Sequence, residues 1–428
     1  MRITMIAPFG LRPKGTTRWR VLPLARALSE RDHSVRVLVP SWDNSADAGR
    51  AWHECGVAVI CVPFPVRLGR AAWPVLLARL FREALRGAPD VLHAFKPIGF
   101  SGAVAEMALR LRRGARHLVW ADADDYEAEW AREKQRTAEV QRAQRILLNR
   151  KGAKNAKKKP GDLCALRAFA VQLPLGPCGE ITHRIVERQE RWVLSRADSV
   201  TVASRALGEL VAGWRGETPV YLPNTSSLRP ADAAEVPGRV VWLTRFLDFP
   251  PEGVADIWAE VVKAGLKPDP TLHVIGAGFR GEERAFAEAV AARGLRDTVT
   301  LCGWLEGTAL AAELSAACVA VFPFDDVAVN RYKCPARLAD LTALGMPVVA
   351  HAVGECAAYV QDGETGLLLP PGSVTEFAQA VARLLGDAAA RARMRSSARE
   401  HFVQHFAPTI LSARLEKAYA EALGGHRN

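Results

Sequence analysis

The sequence predicts an α/β protein built from two Rossmann-like, doubly wound parallel-sheet domains that face a cleft. Two observations support this fold class. The chain has 428 residues, which is too long for one compact core. Short apolar runs alternate with amphipathic runs of helical length in two separate stretches, as in parallel sheets covered by helices on both faces. Ligands of such sheets bind beyond the carboxyl ends of the strands, so we expect a site between the domains.

The first stretch supplies a predicted N-terminal domain, residues 1–225. Strands are predicted at RITMIAPF, SVRVLVP, VAVICVP, VLHAF, HLVWADA and SVTVAS. Helices are predicted at VLPLARALSER, at about residues 70–86, and at SGAVAEMALRLRR and ITHRIVERQERWVLSRA. A strongly basic insertion at about residues 131–161 interrupts the pattern and ends in a lysine-rich run, which is typical of a solvated segment.

The second stretch supplies a predicted C-terminal domain, residues 226–405, and the segment YLPNTSSLRP is predicted to link the two domains. Strands are predicted at VVWLTRF, LHVIGAG, VTLCG, VAVFPF and LLLP. Helices are predicted at EERAFAEAVAARG, GTALAAELSAA, TEFAQAVARLLGD and AAARARMRSSAREHFVQHF. A last helix, APTILSARLEKAYAEAL, belongs to the terminal segment 406–428.

Composition excludes several classes of protein. No run of eighteen or more apolar residues occurs, which argues against a membrane-spanning helix. The apolar stretch at the N-terminus is too short for a secretory signal, so we expect a cytoplasmic protein. The eight cysteines have no metal-binding spacing, which argues against structural zinc and a disulfide framework. The net charge of +11 indicates an anionic partner.

The segment NRYKCPARLADLTALGMPVVAHAVGE, residues 330–355, carries the main candidate site. Pro335 suits the first position of a short helix, which Gly345 ends before a buried strand. Lys333, Arg337 and Asp340 are spaced four and three apart and are predicted to share one helix face. Cations beside a helix N-terminus suit phosphates, and the carboxylate suits ribose hydroxyls. The alternative is a surface ion pair between Arg337 and Asp340.

Two groups at predicted strand ends of the N-terminal domain are further candidates. Gly10 and Gly15 flank a loop with Lys14, Arg18 and Arg20, which either binds an anionic group or forms a simple turn with solvated cations. The loop lacks the spacing of a nucleotide P-loop.

The other N-terminal group is acidic. Asp122, Asp124 and Asp125 follow the strand HLVWADA. They are candidates for orienting an acceptor hydroxyl or for binding a metal, and the alternative is capping of the next helix.

In the C-terminal half, Arg245 follows the strand VVWLT, and Gly276 and Gly278 follow LHVI. Glycines at this position allow close approach of a ligand, although a tight turn explains them equally well.

Together these motifs resemble retaining glycosyltransferases of the two-Rossmann GT-B fold, specifically family 4, over most of the chain. The similarity is greatest at about residues 240–372, where VVWLTRF, LHVIGAG, VTLCGW, the segment at residues 330–350 and DGETGLLLPPGS occur in the family's order. It implies a terminal helix that crosses back to the N-terminal, acceptor-binding domain. It also implies a metal-independent, hexosyltransferase-type enzyme without a cofactor, whose donor is a UDP- or GDP-sugar. The acceptor is then a glycan, a lipid-linked molecule or a small molecule.

The resemblance assigns donor-binding roles to specific residues. The NRxKxP subset of the family matches Asn330 and Lys333, and Arg245 matches a phosphate-binding arginine. Asp340 stands at the position of a ribose-binding glutamate, and Glu355 lies near that of a glutamate that binds donor hydroxyls. This chain departs from the family pattern in two ways. Tyr332 and Ala358 replace glutamates and Pro250 replaces a lysine, and Lys333, Cys334 and Pro335 replace a glycine-aromatic-glycine turn.

The implied reaction is transfer of a sugar with retention, in which cations stabilise the departing diphosphate. Arg245 and Lys333 take that role, and Asp122 or Asp124 orients the acceptor. Two alternatives are a nucleotide-sugar epimerase of related fold and a non-catalytic protein that binds nucleic acid through the basic insertion. The insertion has no aromatic residues among its lysines, which argues against nucleic acid.

The segment VRLGRAAWPVLLARLFREALRG mixes Trp, Leu and Phe with Arg at helical spacing. One interpretation is that this segment lies on an anionic membrane surface, which would make the protein peripheral to the inner face of the plasma membrane. The alternative is an ordinary amphipathic helix that packs on the sheet.

Overall fold

The computed structural model describes residues 1–11, 15–111, 117–133, 177–278 and 281–426. Two parallel-sheet α/β domains are present, which confirms the predicted fold class. Most of the predicted basic insertion, residues 134–161, lies outside the described residues, and so does Lys14.

The N-terminal sheet has eight strands: β1 (Arg2–Ile6), β2 (Ser34–Pro40), β3 (Ala51–Glu54), β4 (Val57–Val62), β5 (Val91–Phe95), β6 (Leu118–Ala123), β7 (Ser199–Val202) and β8 (Val220–Tyr221). They are ordered β3-β4-β2-β1-β5-β6-β7-β8, and only the edge strand β3 is antiparallel to its neighbour. The sheet is flanked by α1 (Leu22–Ser29), α2 (Ala72–Leu85), α3 (Gly99–Leu111), α4 (Pro177–Arg196) and α5 (Arg205–Arg215).

Three of these elements are absent from the sequence-based prediction. The short edge strands β3 and β8 have too few residues for a clear apolar alternation. Helix α5 has a clear signal, because Ser204 caps its N-terminus through a bond from the Leu207 N–H, and Gly216 ends it with a positive φ of 75°.

Helix α2 packs as an ordinary amphipathic helix. Leu76, Leu80 and Ala84 are fully buried against the sheet. This arrangement fits the packing alternative for the apolar face of the segment. Among the described residues, no helix is both long enough and apolar enough to cross a membrane.

The C-terminal sheet has six parallel strands: β9 (Arg239–Leu243), β10 (Thr271–Ile275), β11 (Val299–Gly303), β12 (Val319–Phe322), β13 (Val348–His351) and β14 (Gly366–Leu369). Their order is β11-β10-β9-β12-β13-β14. The helices that follow the linker are α6 (Pro251–Lys263), α7 (Glu282–Ala292), α8 (Gly307–Ser315), α9 (Ala328–Tyr332), α10 (Ala336–Ala343), α11 (Cys356–Tyr359), α12 (Val374–Gly386), α13 (Ala388–His405) and α14 (Pro408–His426). Hydrophobic clusters cover both faces of this sheet.

The last helix, α14, packs on the N-terminal domain. Leu411, Leu415 and Tyr419 are fully buried in the core of that domain. The Tyr419 hydroxyl lies 2.5 Å from His93 Nδ1, and its ring meets Trp120 edge-on at 4.8 Å between centroids. The terminal helix therefore crosses back, as the resemblance implies.

The prediction of one helix face for Lys333, Arg337 and Asp340 is wrong in one respect. Lys333 has an extended backbone, with φ −78° and ψ 143°, and α10 begins only at Ala336. Proline disfavours a helical conformation in the residue before it, here Cys334, so α10 does not extend back beyond Pro335 to include Lys333. Lys333 therefore approaches the site from the loop that precedes the helix.

Candidate active site

The carboxyl ends of the two sheets face each other. Arg18, in a π-helical turn (Thr17–Val21) between β1 and α1, forms an ion pair of 2.8 Å with Glu306, which follows β11. Ser204, after β7, donates a 2.6 Å hydrogen bond to the carbonyl of Tyr332. Lys333 Nζ lies 4.6 Å from the ring centroid of Trp130 in the other domain. The loops that were predicted to contain a site therefore line one cleft.

Two cations on the C-terminal side of the cleft share one carboxylate. Asp248, in the loop after β9, pairs with Lys333 through one oxygen and with Arg337 through the other. Burial works against ionisation of Asp248, but the charges of Arg337 and Lys333 and their hydrogen bonds lower its pKa to about 2. The Arg337–Asp340 ion pair considered as an alternative is replaced by this arrangement.

Arg245 adds a third cation nearby. Burial lowers its pKa, and the charge of Arg337 lowers it further, so the two guanidinium groups repel each other. The Arg245 guanidinium lies 4.5 Å from the ring centroid of Trp304, after β11. We call Arg245, Lys333, Arg337 and Asp248 the cation cluster. These four residues carry a formal surplus of two positive charges, which the nearby carboxylate of Glu282, whose charge acts on Arg245, reduces to one.

Asp340 lies on α10 and contacts the interdomain linker. Its Oδ1 atom accepts a 2.5 Å hydrogen bond from the Ser226 hydroxyl. Burial raises the pKa of Asp340 to about 7, against that hydrogen bond and the charge of Arg337. The group therefore changes charge near neutral pH.

Asn330 holds the backbone of the cation cluster in place. Its side-chain amide donates to the carbonyls of Asp248, at 3.0 Å, and Asp325, at 2.9 Å. Only 2% of Asn330 is exposed. These bonds tie the loop after β9 to α9, so Asn330 supports the site and does not face the cleft.

The two glycines after β10 have packing reasons for their identity. A Cβ on Gly276 would lie 1.8 Å from the Thr244 carbonyl oxygen, and its φ is +136°. A Cβ on Gly278 would lie 2.3 Å from the Glu282 side chain, and its N–H donates to Glu283. The geometry fits the tight-turn alternative at both positions.

Glu355 joins the domains. Its carboxylate accepts hydrogen bonds from the Arg205 N–H at 2.8 Å and the Tyr221 hydroxyl at 2.5 Å, and it pairs with the Arg205 guanidinium at 3.1 Å. Only 3% of Glu355 is exposed. These contacts occupy the oxygens that the resemblance assigns to donor hydroxyls.

The glycine loop after β1 is held by local contacts. The Gly10 N–H donates to Asp43 at 2.8 Å, and the Gly15 carbonyl accepts from the N–H groups of Arg18 and Trp19. Arg18 is engaged by Glu306 across the cleft. This loop therefore contacts the C-terminal domain directly.

Asp122 is fully buried and paired. Arg20 donates to both of its oxygens, at 2.6 and 2.7 Å, and the Thr201 hydroxyl donates at 2.7 Å. Arg20 also donates to Asn224 in the linker. The predicted role of Asp122 in orienting an acceptor is not supported, because this buried ion pair takes up its carboxylate.

Asp124 and Asp125 belong to a second charged group. Lys96 Nζ lies 3.2 Å from Asp124, 2.8 Å from Asp125 and 2.5 Å from Glu127. We call these four residues the acidic cluster. Burial raises the pKa of Asp124 to about 7, against the charge of Lys96. Burial also works against ionisation of Asp125, but the charges of Lys96 and Lys333 lower its pKa.

The three carboxylates of the acidic cluster have the spacing of a metal site. The Lys96 ammonium already lies among them and supplies the positive charge that a metal ion would bring. The charge of Lys333 contributes to the lowered pKa of Asp125, so Asp125 interacts electrostatically with the cation cluster across the cleft.

Sequence reasoning missed Asp248, Lys96 and Trp130. Asp248 had a usable signal, because it follows a buried strand and lies three residues after Arg245. The other two had none, since a single lysine or tryptophan after a strand is too common to interpret.

Sequence comparisons agree with this geometry. Residues 238–387 match the family model described as glycosyl transferases group 1, and residues 15–157 match that of the glycosyl transferase 4-like domain. The chain is 28% identical to the 2-deoxystreptamine glucosyltransferase of Streptomyces kanamyceticus over 277 residues, which are 60% of this chain and 70% of that protein. It is 28% identical to the D-inositol 3-phosphate glycosyltransferase of Streptomyces bingchenggensis over 233 residues, about half of each chain (48% and 47%).

Solved structures share the whole architecture. Sucrose-phosphate synthase from Thermosynechococcus elongatus superposes with a TM-score of 0.68 at 19% identity, over 99% of this chain and 100% of that one. HepE of Anabaena in complex with UDP-glucose gives 0.64 at 14% identity, over 98% and 100%. With both family models and this fold, the chain is a glycosyltransferase of the GT-B class.

Proposed function

We propose that the protein transfers a sugar with retention from a UDP- or GDP-sugar to an acceptor hydroxyl, as a member of the NRxKxP subset of family 4. One observation carries the proposal. At the carboxyl ends of the C-terminal strands, Lys333 and Arg337 share the carboxylate of Asp248, and a third cation, Arg245, lies near Arg337. The negative charge of a diphosphate complements the surplus positive charge of the cation cluster.

In this proposal the cation cluster binds the donor diphosphate and stabilises it as it departs. Arg337 supplies the charge that Pro250 removes from the family's arginine–lysine pair. Asp340 accepts hydrogen bonds from the ribose hydroxyls. Asn330, Gly276 and Glu355 hold the loops and domains around the donor without contacting it.

The acidic cluster serves the acceptor in this proposal, with Asp125 in the role expected of Asp122 or Asp124. Asp125 accepts a hydrogen bond from the acceptor hydroxyl. The acceptor oxygen bonds to the anomeric carbon as the bond to the donor phosphate breaks, and the departing phosphate oxygen takes the hydroxyl proton. Cations of the chain supply the charge stabilisation, so we propose a metal-independent reaction.

The names of two relatives suggest the acceptor. One is described as acting on 2-deoxystreptamine and the other on D-inositol 3-phosphate, and both of these molecules contain a cyclitol ring. We therefore propose that the acceptor is a small, hydroxyl-rich molecule and not a membrane lipid.

A thermal-shift panel of UDP-, GDP- and other nucleotide sugars, combined with a nucleotide-release assay, tests the proposed function. Ligands that bind only the folded state raise the melting temperature. We expect one nucleotide series to raise it, and the corresponding sugar nucleotide to release nucleoside diphosphate. No shift with any nucleotide, or affinity for DNA alone, would contradict the proposal.

A further inference from the structure

Five aromatic side chains meet at the carboxyl end of the N-terminal sheet. They come from loops after four different strands or from the helix starts that follow: Phe9, Trp42, Phe64, Trp73 and Phe100. Neighbouring ring centroids lie 5.3 to 6.2 Å apart. We call this group the aromatic wall. No role in the reaction described above uses it.

Trp73 is the exposed member of the aromatic wall. Phe100 stacks on one of its faces, with centroids 5.3 Å apart and planes 3° from parallel. Trp42 and Phe64 contact it at 6.1 and 5.4 Å. Nevertheless 49% of Trp73 is exposed. Its neighbours hold the indole rigidly while a large part of its surface remains accessible, as in a platform for a ligand ring.

Polar groups belong to the same loops as the aromatic wall. Asp43, next to Trp42 in the chain, accepts from the Gly10 N–H through Oδ1, while its Oδ2 is buried and has no hydrogen-bond donor among the described residues. Lys96 of the acidic cluster lies four residues before Phe100, and its carbonyl accepts from the Ser101 hydroxyl at the start of α3. Few polar groups beside an aromatic surface are typical of sites for small polar molecules.

The described residues of this face expose few large apolar side chains. Leu68 and Trp73 are the large exposed apolar residues within the described part of this face. Along α2 the next exposed positions are Pro74, Ala78 and Arg82, which add little apolar surface to that of Trp73. Contact with a single ring needs no more than the indole surface.

We propose that the aromatic wall is an acceptor subsite, in which Trp73 stacks on the C–H face of a polyhydroxylated six-membered ring. This inference rests on the proposed function and specifies the class of acceptor. The ring's hydroxyls lie at its edge, where carboxylates of the acidic cluster accept their hydrogen bonds. Trp73 binds and orients the acceptor and takes no part in bond making.

Saturation-transfer NMR in the presence of UDP tests the subsite. The probes are myo-inositol, 2-deoxystreptamine and the open-chain hexitol D-glucitol. We expect saturation of the ring C–H protons of at least one cyclic probe, with a signal at least fivefold weaker for D-glucitol. Trp73→Ala should weaken the cyclic signal at least fivefold, and Trp73→Phe should retain most of it. The matched control is Leu301→Ala, because Leu301 is 48% exposed on the other domain.

Three results would overturn the subsite. The first is the absence of a signal from every cyclic probe, and the second is an equal signal in Trp73→Ala and Leu301→Ala. The third is that Trp73→Ala abolishes binding to phosphatidylglycerol vesicles and leaves ring binding unchanged. The thermal shift by nucleotides is measured on the same samples. If it persists while the ring signal fails, only the subsite is wrong, whereas loss of both in the wild type rejects the proposed function.

Discussion

Two groups of charged side chains on opposite sides of the cleft have opposite compositions. The cation cluster has three cations and one carboxylate, and the acidic cluster has three carboxylates and one ammonium. The pKa values of two buried carboxyl groups differ accordingly: the charges of Arg337 and Lys333 overcome burial and lower that of Asp248 to about 2, whereas burial raises that of Asp124 to about 7 against the charge of Lys96. Each cluster therefore has a charge that its own residues do not balance.

The difference indicates a division of labour between the domains. A site with surplus positive charge binds anions and stabilises a departing one, whereas surplus carboxylates accept hydrogen bonds from hydroxyls. Lys333 connects the two, because it pairs with Asp248 while its charge also lowers the pKa of Asp125. Substitutions on each side should therefore separate donor effects from acceptor effects.

The largest effect is expected at Lys333. Lys333→Ala removes a cation that faces the developing charge of the diphosphate, so kcat/KM for the donor should fall about 10³-fold, roughly 4 kcal/mol. A steady-state nucleotide-release assay measures this. Lys263→Ala is the control, because Lys263 forms an exposed pair with Glu260 on α6. Equal activity of the two variants would remove Lys333 from the site.

The next largest effects distinguish a structural role of Asp122 from an acceptor-binding role of Asp125. Asp122→Asn leaves Arg20 buried without its charge partner, and we expect the free energy of unfolding to fall by about 3 kcal/mol. Asp125→Asn should unfold near the wild-type temperature and lose about tenfold in acceptor-dependent turnover, with donor hydrolysis retained. Denaturant unfolding and turnover, measured on both variants, check this. The reverse pattern would return the acceptor role to Asp122.

Asp248→Asn tests whether this carboxylate competes with the diphosphate for the cation cluster. It removes the carboxylate that competes with the diphosphate, so UDP-glucose or GDP-sugar affinity should rise about tenfold. It also leaves two half-buried cations unpaired, which should lower the free energy of unfolding by about 2 kcal/mol. Calorimetric titration and denaturant unfolding measure the two effects. Asp326→Asn, which breaks the exposed pair with Arg331, is the matched control. Weaker donor binding in Asp248→Asn would show that the carboxylate organises the cations instead.

The smallest effect is a pH dependence from Asp340. Its pKa in the folded protein is raised to about 7, so its contribution to stability is complete below the unfolded value and is lost as the pH rises through about 7. Donor affinity should change in the opposite direction, rising roughly fivefold from pH 6 to 8, because the ionised carboxylate accepts ribose hydroxyls more strongly. Asp340→Asn should abolish this slope in a titration with the donor, and a persistent slope would assign it to another group.

The fold was predictable because strand and helix periodicity is local. The runs around VVWLT and VAVFPF predicted buried strands, and the strand order then put their following loops at one edge of the sheet. The short edge strands β3 and β8 were not predicted. They form by pairing with a neighbouring strand, and their own residues show no clear apolar alternation.

The site was only partly predictable, because partners at long range decide the roles. Lys333 and Arg337 stood out in the sequence, but Asp248, which pairs with both, lies more than eighty residues earlier. Asp122 and Asp125 are indistinguishable as sequence, and the buried Arg20 separates them in the structure. Glu355 was placed by resemblance near the donor, whereas contacts with Arg205 and Tyr221 tie it to the domain interface.

A crystal structure with bound UDP tests the division between the two clusters most directly. We predict that the diphosphate lies within ion-pair distance of Lys333 and Arg337, that the Asp248 carboxylate has moved away from at least one of them, and that the ribose contacts Asp340. A diphosphate bound instead at the Gly10–Gly15 loop, with both Asp248 ion pairs intact, would contradict the account.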